Sequence, residues 1–257
     1  MLRLLRALPL TLAIAAVSIV ATSCSSNNGT KARFVNAIQN TAQYGGALDV
    51  EVNGTQQFTN VTFSTASAST YTPIPAGNVT FEGFESPGVT TPVFTDSTTL
   101  SSGTEYTMVA TGYAGGTGSQ VVLLSLSDDN LAPADGTLNF RVINAAPNAS
   151  PSLNGSVDIW IEPYPDNSFS PTEPATIQNL AYQSASRYVN VAYNSDLLGF
   201  TMYVYTVGGG TRLITVPISV SGSQNSAAVC TVVLTDFPNA NELNSSPVKL
   251  DDNNCPL

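Results

Sequence analysis

From residue 31 onward, apolar and polar residues alternate in short runs broken by Gly, Pro, Asn and Ser, and no stretch keeps a helical period. Leu48, Val50 and Val52 alternate with Asp49 and Glu51, the pattern of a strand with one buried face. Asn53-Gly54 follows, a hairpin signal because both residues tolerate positive φ, and residues 55–63 return as the partner strand. Pro73-Ile74-Pro75 removes ladder donors and marks an edge. Further strands are predicted at 79–82, 93–100, 105–110 and 121–126, with Tyr106 and Met108 on one face. The last is mostly apolar, which places it at the centre of a sheet. About eight strands in about a hundred residues is the density of an immunoglobulin-like sandwich.

The pattern then repeats. Arg33-Phe34-Val35-Asn36-Ala37 returns as Arg141-Val142-Ile143-Asn144-Ala145, Leu48-Asp49-Val50 as Val157-Asp158-Ile159, and Phe58-Thr59-Asn60-Val61 as Ile177-Gln178-Asn179-Leu180. The offset grows from 108 to 119 residues along the chain, so a duplicated unit has gained loop insertions in its second copy. One insertion, Pro163 to Pro174, is rich in proline and has no counterpart in the first copy. The break at Ser127 to Gly136 is short, so the two units are expected nearly end to end. The expected fold is all-β: two tandem immunoglobulin-like antiparallel β-sandwiches, at 32–133 and 137–257.

The first 31 residues read differently. Arg3 and Arg6 precede an apolar run from Leu8 to Val20, too short to span a bilayer as a helix and suited to a secretory signal peptide. Val20-Ala21-Thr22-Ser23-Cys24 followed by a polar tether resembles the lipobox of bacterial lipoproteins, with Ala21 where that family most often has Leu. The resemblance implies a signal peptide over 1–23, an acylated Cys24, a tether over 24–31 and a membrane held by the lipid. Ser25 after the cysteine, in place of a retaining Asp, implies the outer membrane as the address.

Removing the leader's two arginines leaves 6 basic against 18 acidic residues. So few cations cannot neutralise a run of phosphates, which excludes a nucleic-acid partner. Cys230 in a predicted strand and Cys255 in the terminal tail suggest a disulfide in an oxidising compartment, worth roughly 3 kcal/mol in the chain-entropy model. The seven Asn-x-Ser/Thr triplets follow from an Asn- and Thr-rich composition rather than from glycan sites.

Arg33-Phe34-Val35-Asn36-Ala37, Leu48-Asp49-Val50, Pro75-Ala76-Gly77, Gly103-Thr104-Glu105-Tyr106-Thr107 and Asp128-Asp129-Asn130 with Ala132-Pro133 resemble domain of unknown function 4397. Arg141 to Ala149 is the closest single stretch. That family occurs in exported bacterial and archaeal proteins, often in tandem, without an established activity. Its members commonly carry His where this chain has Asn36 and Asn144, and the second copy lacks the Pro-Ala-Gly and Gly-Thr-x-Tyr-Thr segments.

The chain has no histidine, the commonest general base and metal ligand, and no nucleophile, phosphate-loop or zinc-spaced cysteine motif. The expected function is therefore a non-enzymatic, membrane-anchored envelope module, structural or binding, without a cofactor. Asp49 and Asp158 point away from the apolar set and read as solvated surface or as holders of a loop. Asp128 and Asp129, echoed by Asp251 and Asp252, are candidates for a Ca²⁺ that stabilises the fold, although neither matches a known calcium loop. A carboxylate-based hydrolase would need two acids in one cleft. Trp160, Tyr164 and Phe169, in and beside the insertion, are candidates for a protein or glycan contact.

Overall fold

The computed structural model describes residues 29–39, 46–68, 70–114, 121–147, 155–164, 169–193, 197, 199–219, 227–236, 243–253 and 255. The expected signal peptide over 1–23, Cys24 and residues 165–168 of the insertion lie outside them. Every regular element described is a strand. The first unit contains β1 (Lys31–Gln39), β2 (Ala47–Val52), β3 (Thr55–Thr62), β4 (Thr65–Ala66), β5 (Thr72–Pro73), β6 (Gly77–Glu85), β7 (Phe94–Leu100), β8 (Glu105–Tyr113) and β9 (Val122–Ser127). The second contains β10 (Thr137–Asn144), β11 (Val157–Tyr164), β12 (Ile177–Leu180), β13 (Ser184–Ala185), β14 (Val189–Ala192), β15 (Gly199–Thr206), β16 (Arg212–Ser219), β17 (Ala228–Leu234) and β18 (Val248–Asn253).

Strand for strand, the units are copies. One sheet runs β3-β2-β6-β7 and its counterpart β12-β11-β15-β16; the other runs β4-β1-β8-β9 with β5, and its counterpart β13-β10-β17-β18 with β14. The predicted hairpin is present, with Asn53 at φ 51° and Gly54 at 73°, and Asn60 and Asn179 share φ values of 52° and 51°. Each unit closes on its own core. Phe34, Leu48, Val50, Phe81 and Met108 anchor the first, and Phe140, Ile159, Phe200, Met202 and Val232 the second. The Cys230–Cys255 disulfide joins β17 to the chain just beyond β18, with Cα atoms 5.3 Å apart, so the expected tail is in fact a strand.

Three expectations need correction. The sheets are mixed, because β1 pairs in parallel with β8 and β10 in parallel with β17. β9 is an edge strand, not a central one. Its run is apolar because both faces are covered: Leu123 enters the first core, while Leu124 and Leu126 pack outside it. Finally, the units lie back to back rather than end to end. A third apolar cluster joins them, made from Val35, Ala37 and Val109 of one unit with Ile143, Ala145, Val233, Val248 and Leu250 of the other. The molecule is thus four sheets deep. This explains why β1 is buried at every position after Lys31: its alternate side chains enter two different cores.

Candidate functional site

An arginine in the middle of a buried strand demands a partner, since an isolated charge in an apolar interior costs far more than packing returns. Arg33 of β1 and Arg141 of β10 both point into the junction, on the same strand faces as Val35 and Ile143. Each donates its Nε to a threonine of its own unit, Arg33 to Thr107 at 2.9 Å and Arg141 to Thr231 at 3.1 Å. Each then crosses to the other unit. Arg33 Nη2 binds the Asp252 carboxylate and Nη1 the Asp251 carbonyl at 2.9 Å. Arg141 Nη2 binds the Asp128 carboxylate and Nη1 the Ser127 carbonyl at 3.1 Å.

The acids are held with equal symmetry. Asp128 accepts from Thr107 at 2.7 Å and from Tyr71 Oη at 2.6 Å; Asp252 accepts from Thr231 at 2.6 Å and from Tyr188 Oη at 2.9 Å. Each tyrosine ring lies beneath the guanidinium of its own unit, 4.9 Å from centroid to Cζ in both cases, within cation–π range. Eight side chains therefore form one closed network around an approximate two-fold axis. Both aspartate side chains are 0% exposed. Burial pulls on Arg33 towards the neutral form, but Asp252 and its neighbours outweigh it and hold the guanidinium's pKa above its ordinary value. Tyr71 and Tyr188 are also raised, first by burial and then by the adjacent carboxylates.

This placement decides what the acidic candidates can do. Asp128 and Asp252 converge on Arg33, at 3.6 Å and in direct contact respectively, but as sealed counter-ions with no water access. Asp129 and Asp251 turn elsewhere, accepting the Leu131 and Cys255 amides at 3.3 and 2.7 Å. No group of three metal-ligating side chains occurs among the described residues. Asp49 holds the Asn60 amide at 2.7 Å, and Asp158 holds those of Asn179 and Gly208, each at 2.7 Å. They fix the positive-φ asparagines of the neighbouring strand. Asn36 and Asn144 are likewise structural: buried, each ties β1 or β10 to the facing sheet through the carbonyl of Val61 or Leu180.

The aromatic candidates meet on the outer sheet of the second unit. Trp160 lies on the face opposite Val157, Ile159 and Ile161, yet it is only 3% exposed. Phe169 comes back over it edge-on at 5.9 Å and stacks flat on Tyr203 at 4.0 Å, while Tyr205 closes the other side at 5.3 Å. The indole donates to the Glu173 carbonyl at 3.0 Å. The insertion thus covers its own sheet, and of the three candidates Tyr164 stays most open, at 47%. On the corresponding face of the first unit no such aromatic cover occurs among the described residues, and Glu51 sits directly opposite Glu82 there.

Sequence reasoning missed the arginine network. The signal was an arginine repeated within an apolar strand, together with an acidic echo at the end of each unit's last strand; reading the acids as a turn or a cation site hid their pairing.

The model of the family described as Domain of unknown function (DUF4397) matches residues 30–160, which takes in all of the first unit, the linker and the start of the second. No curated protein matches the chain. Among solved structures, one titled for alpha-glucan recognition by family 41 carbohydrate-binding modules from streptococcal virulence factors is similar at 9% identity, covering 86% of this chain and 97% of that one, with a TM-score of 0.27.

Proposed function

The chain belongs to the DUF4397 family, and from that premise we propose that it is a non-enzymatic module of the bacterial envelope, held by an acylated Cys24 in the outer membrane. Its role is to present rigid faces away from the lipid, as a spacer or as a binding scaffold for a protein or glycan. The observation that carries this reading is the arginine network. It merges two sandwiches into one body and spends its convergent carboxylates on internal ion pairs, which suits mechanical definition better than turnover. The partner surface we favour is the second unit's insertion, around the Phe169 ring seated over Trp160, because loops held by a rigid sandwich are common binding positions.

The test is mass spectrometry of the membrane fraction. The mature chain should begin at Cys24 with added acyl mass, and Cys24→Ala should release the protein to the soluble fraction. A soluble, unmodified chain beginning elsewhere would remove the anchor from the proposal.

A further inference from the structure

The approximate two-fold axis of the junction runs along the strands, so both units point the same way. At one end are the arginine network, the start of β1 and the start of β10. At the other, Thr111 donates to the Ala145 carbonyl at 2.7 Å and Ser64 meets Thr235 at 2.8 Å. The first described residues belong to the network end. Thr30 donates to the Ser101 carbonyl at 2.8 Å, and Gly29 lines a shallow cleft of about 400 Å³ together with Lys31, Glu105, Asp128 and Leu131.

Three large apolar side chains are exposed among the described residues: Leu131 at 77%, Val207 at 51% and Tyr164 at 47%. Leu131 sits beside Gly29 in that cleft. Tyr164 ends β11 opposite Gly199, where β15 begins, and the neighbouring Phe200 packs on Tyr193, whose amide bonds to the Gly136 carbonyl just before β10. Leu131 and Tyr164 therefore share the network end, one on each unit. Val207 lies in the turn after β15, next to the Asp158-held Gly208, at the opposite end.

We propose that the network end is a bilayer-contacting face, with Leu131 and Tyr164 seated at the lipid interface and the strands standing upright on the membrane. This rests on the acylated Cys24 of the preceding reading. Gly29 is five Cα–Cα steps beyond Cys24, a reach of at most about 18 Å, whereas a nine-residue strand such as β1 is about 30 Å long. An upright body fixed by so short a tether keeps Val207 out of reach of the lipid. A leucine and a tyrosine are suited to the interface, the one as an apolar insert and the other with an apolar ring and a wet hydroxyl.

The experiment uses the acylated full-length protein in phosphatidylethanolamine–phosphatidylglycerol vesicles whose acyl chains are brominated near the interface. Leu131→Trp and Val207→Trp are compared against the constant background of buried Trp160. Quenching of the Leu131→Trp emission with none for Val207→Trp is the expected result. Vesicle flotation without quenching of Leu131→Trp overturns the face while leaving the anchor standing, as does quenching of Val207→Trp. A wild-type protein that does not float, like Cys24→Ala, overturns the anchor and the face together.

Discussion

At the junction, Arg33, Tyr71, Thr107 and Asp128 of the first unit are matched by Arg141, Tyr188, Thr231 and Asp252 of the second. On the outer sheets the copies part company: Glu51 facing Glu82 becomes Trp160 facing Tyr203, and Phe84 beside Asp49 becomes Tyr205 beside Asp158. The contrast follows from what each face must satisfy. A buried ionic network is costly to alter one member at a time, because every single change strands a partner away from water. An outer face has the core behind it and solvent before it, so its residues can change singly.

The largest effect is expected from breaking the matched face. Arg33→Met should destabilise by about 3–5 kcal/mol, the usual cost of leaving a buried counter-ion unpaired, and Arg141→Met by a similar amount. Adding Asp252→Leu to Arg33→Met should recover much of that loss in urea unfolding, since two apolar groups replace an ion pair. Equal losses in single and double variants would mean that the network is not a paired device.

The same face sets an alkaline limit. Tyr71 and Tyr188 ionise in the folded protein only well above their ordinary value of 10.0, so the unfolded chain releases those protons first. Their contribution is complete below pH 10 and is lost as the pH rises beyond it. A thermal melt should fall more steeply above pH 10 for the wild type than for Tyr71→Phe/Tyr188→Phe.

The unmatched faces should respond more weakly and independently. Phe169→Ala removes the stack on Tyr203 and should cost about 1 kcal/mol. As Trp160 is the chain's one tryptophan, its emission should shift to the red as water reaches the ring. Smallest of all, Glu82→Thr relieves a like-charge pair across β2 and β6 and should stabilise by about 0.2–1 kcal/mol, most clearly at low salt. A stabilisation by the same change at low pH, where both acids are neutral, would argue for another cause.

Much of this architecture was legible because local chemistry decides it. Asn53-Gly54 placed a hairpin, the alternation of Leu48, Val50 and Val52 with Asp49 and Glu51 marked the buried face of β2, and Cys230 with Cys255 announced a bond between a strand and the chain end. What escaped was the relation between units. A run such as Val122 to Ser127 looks central when it is covered on two sides, and nothing within the run says that the second cover comes from another unit. The parallel pairing of β1 with β8 was hidden for a similar reason, since strands 74 residues apart carry no turn signal to give their sense. The acids at 128 and 252 were noticed, but their partners lie across the molecule, and pairing over such distances leaves no local spacing to read.

The counter-ion of Arg33 lies 219 residues further along the chain. A growing chain can therefore close its first core, but it cannot cover the other face of that unit's inner sheet until the second unit is made. Closing so long a loop is slow and entropically unfavourable before contacts reward it, and until β18 arrives the inner sheet of the first unit keeps an apolar face in water, with Asp128 at 3.6 Å as the acid of its own unit beside Arg33. Maturation is thus completed from the C-terminus, and a copy truncated before residue 248 should be readily cut by proteases.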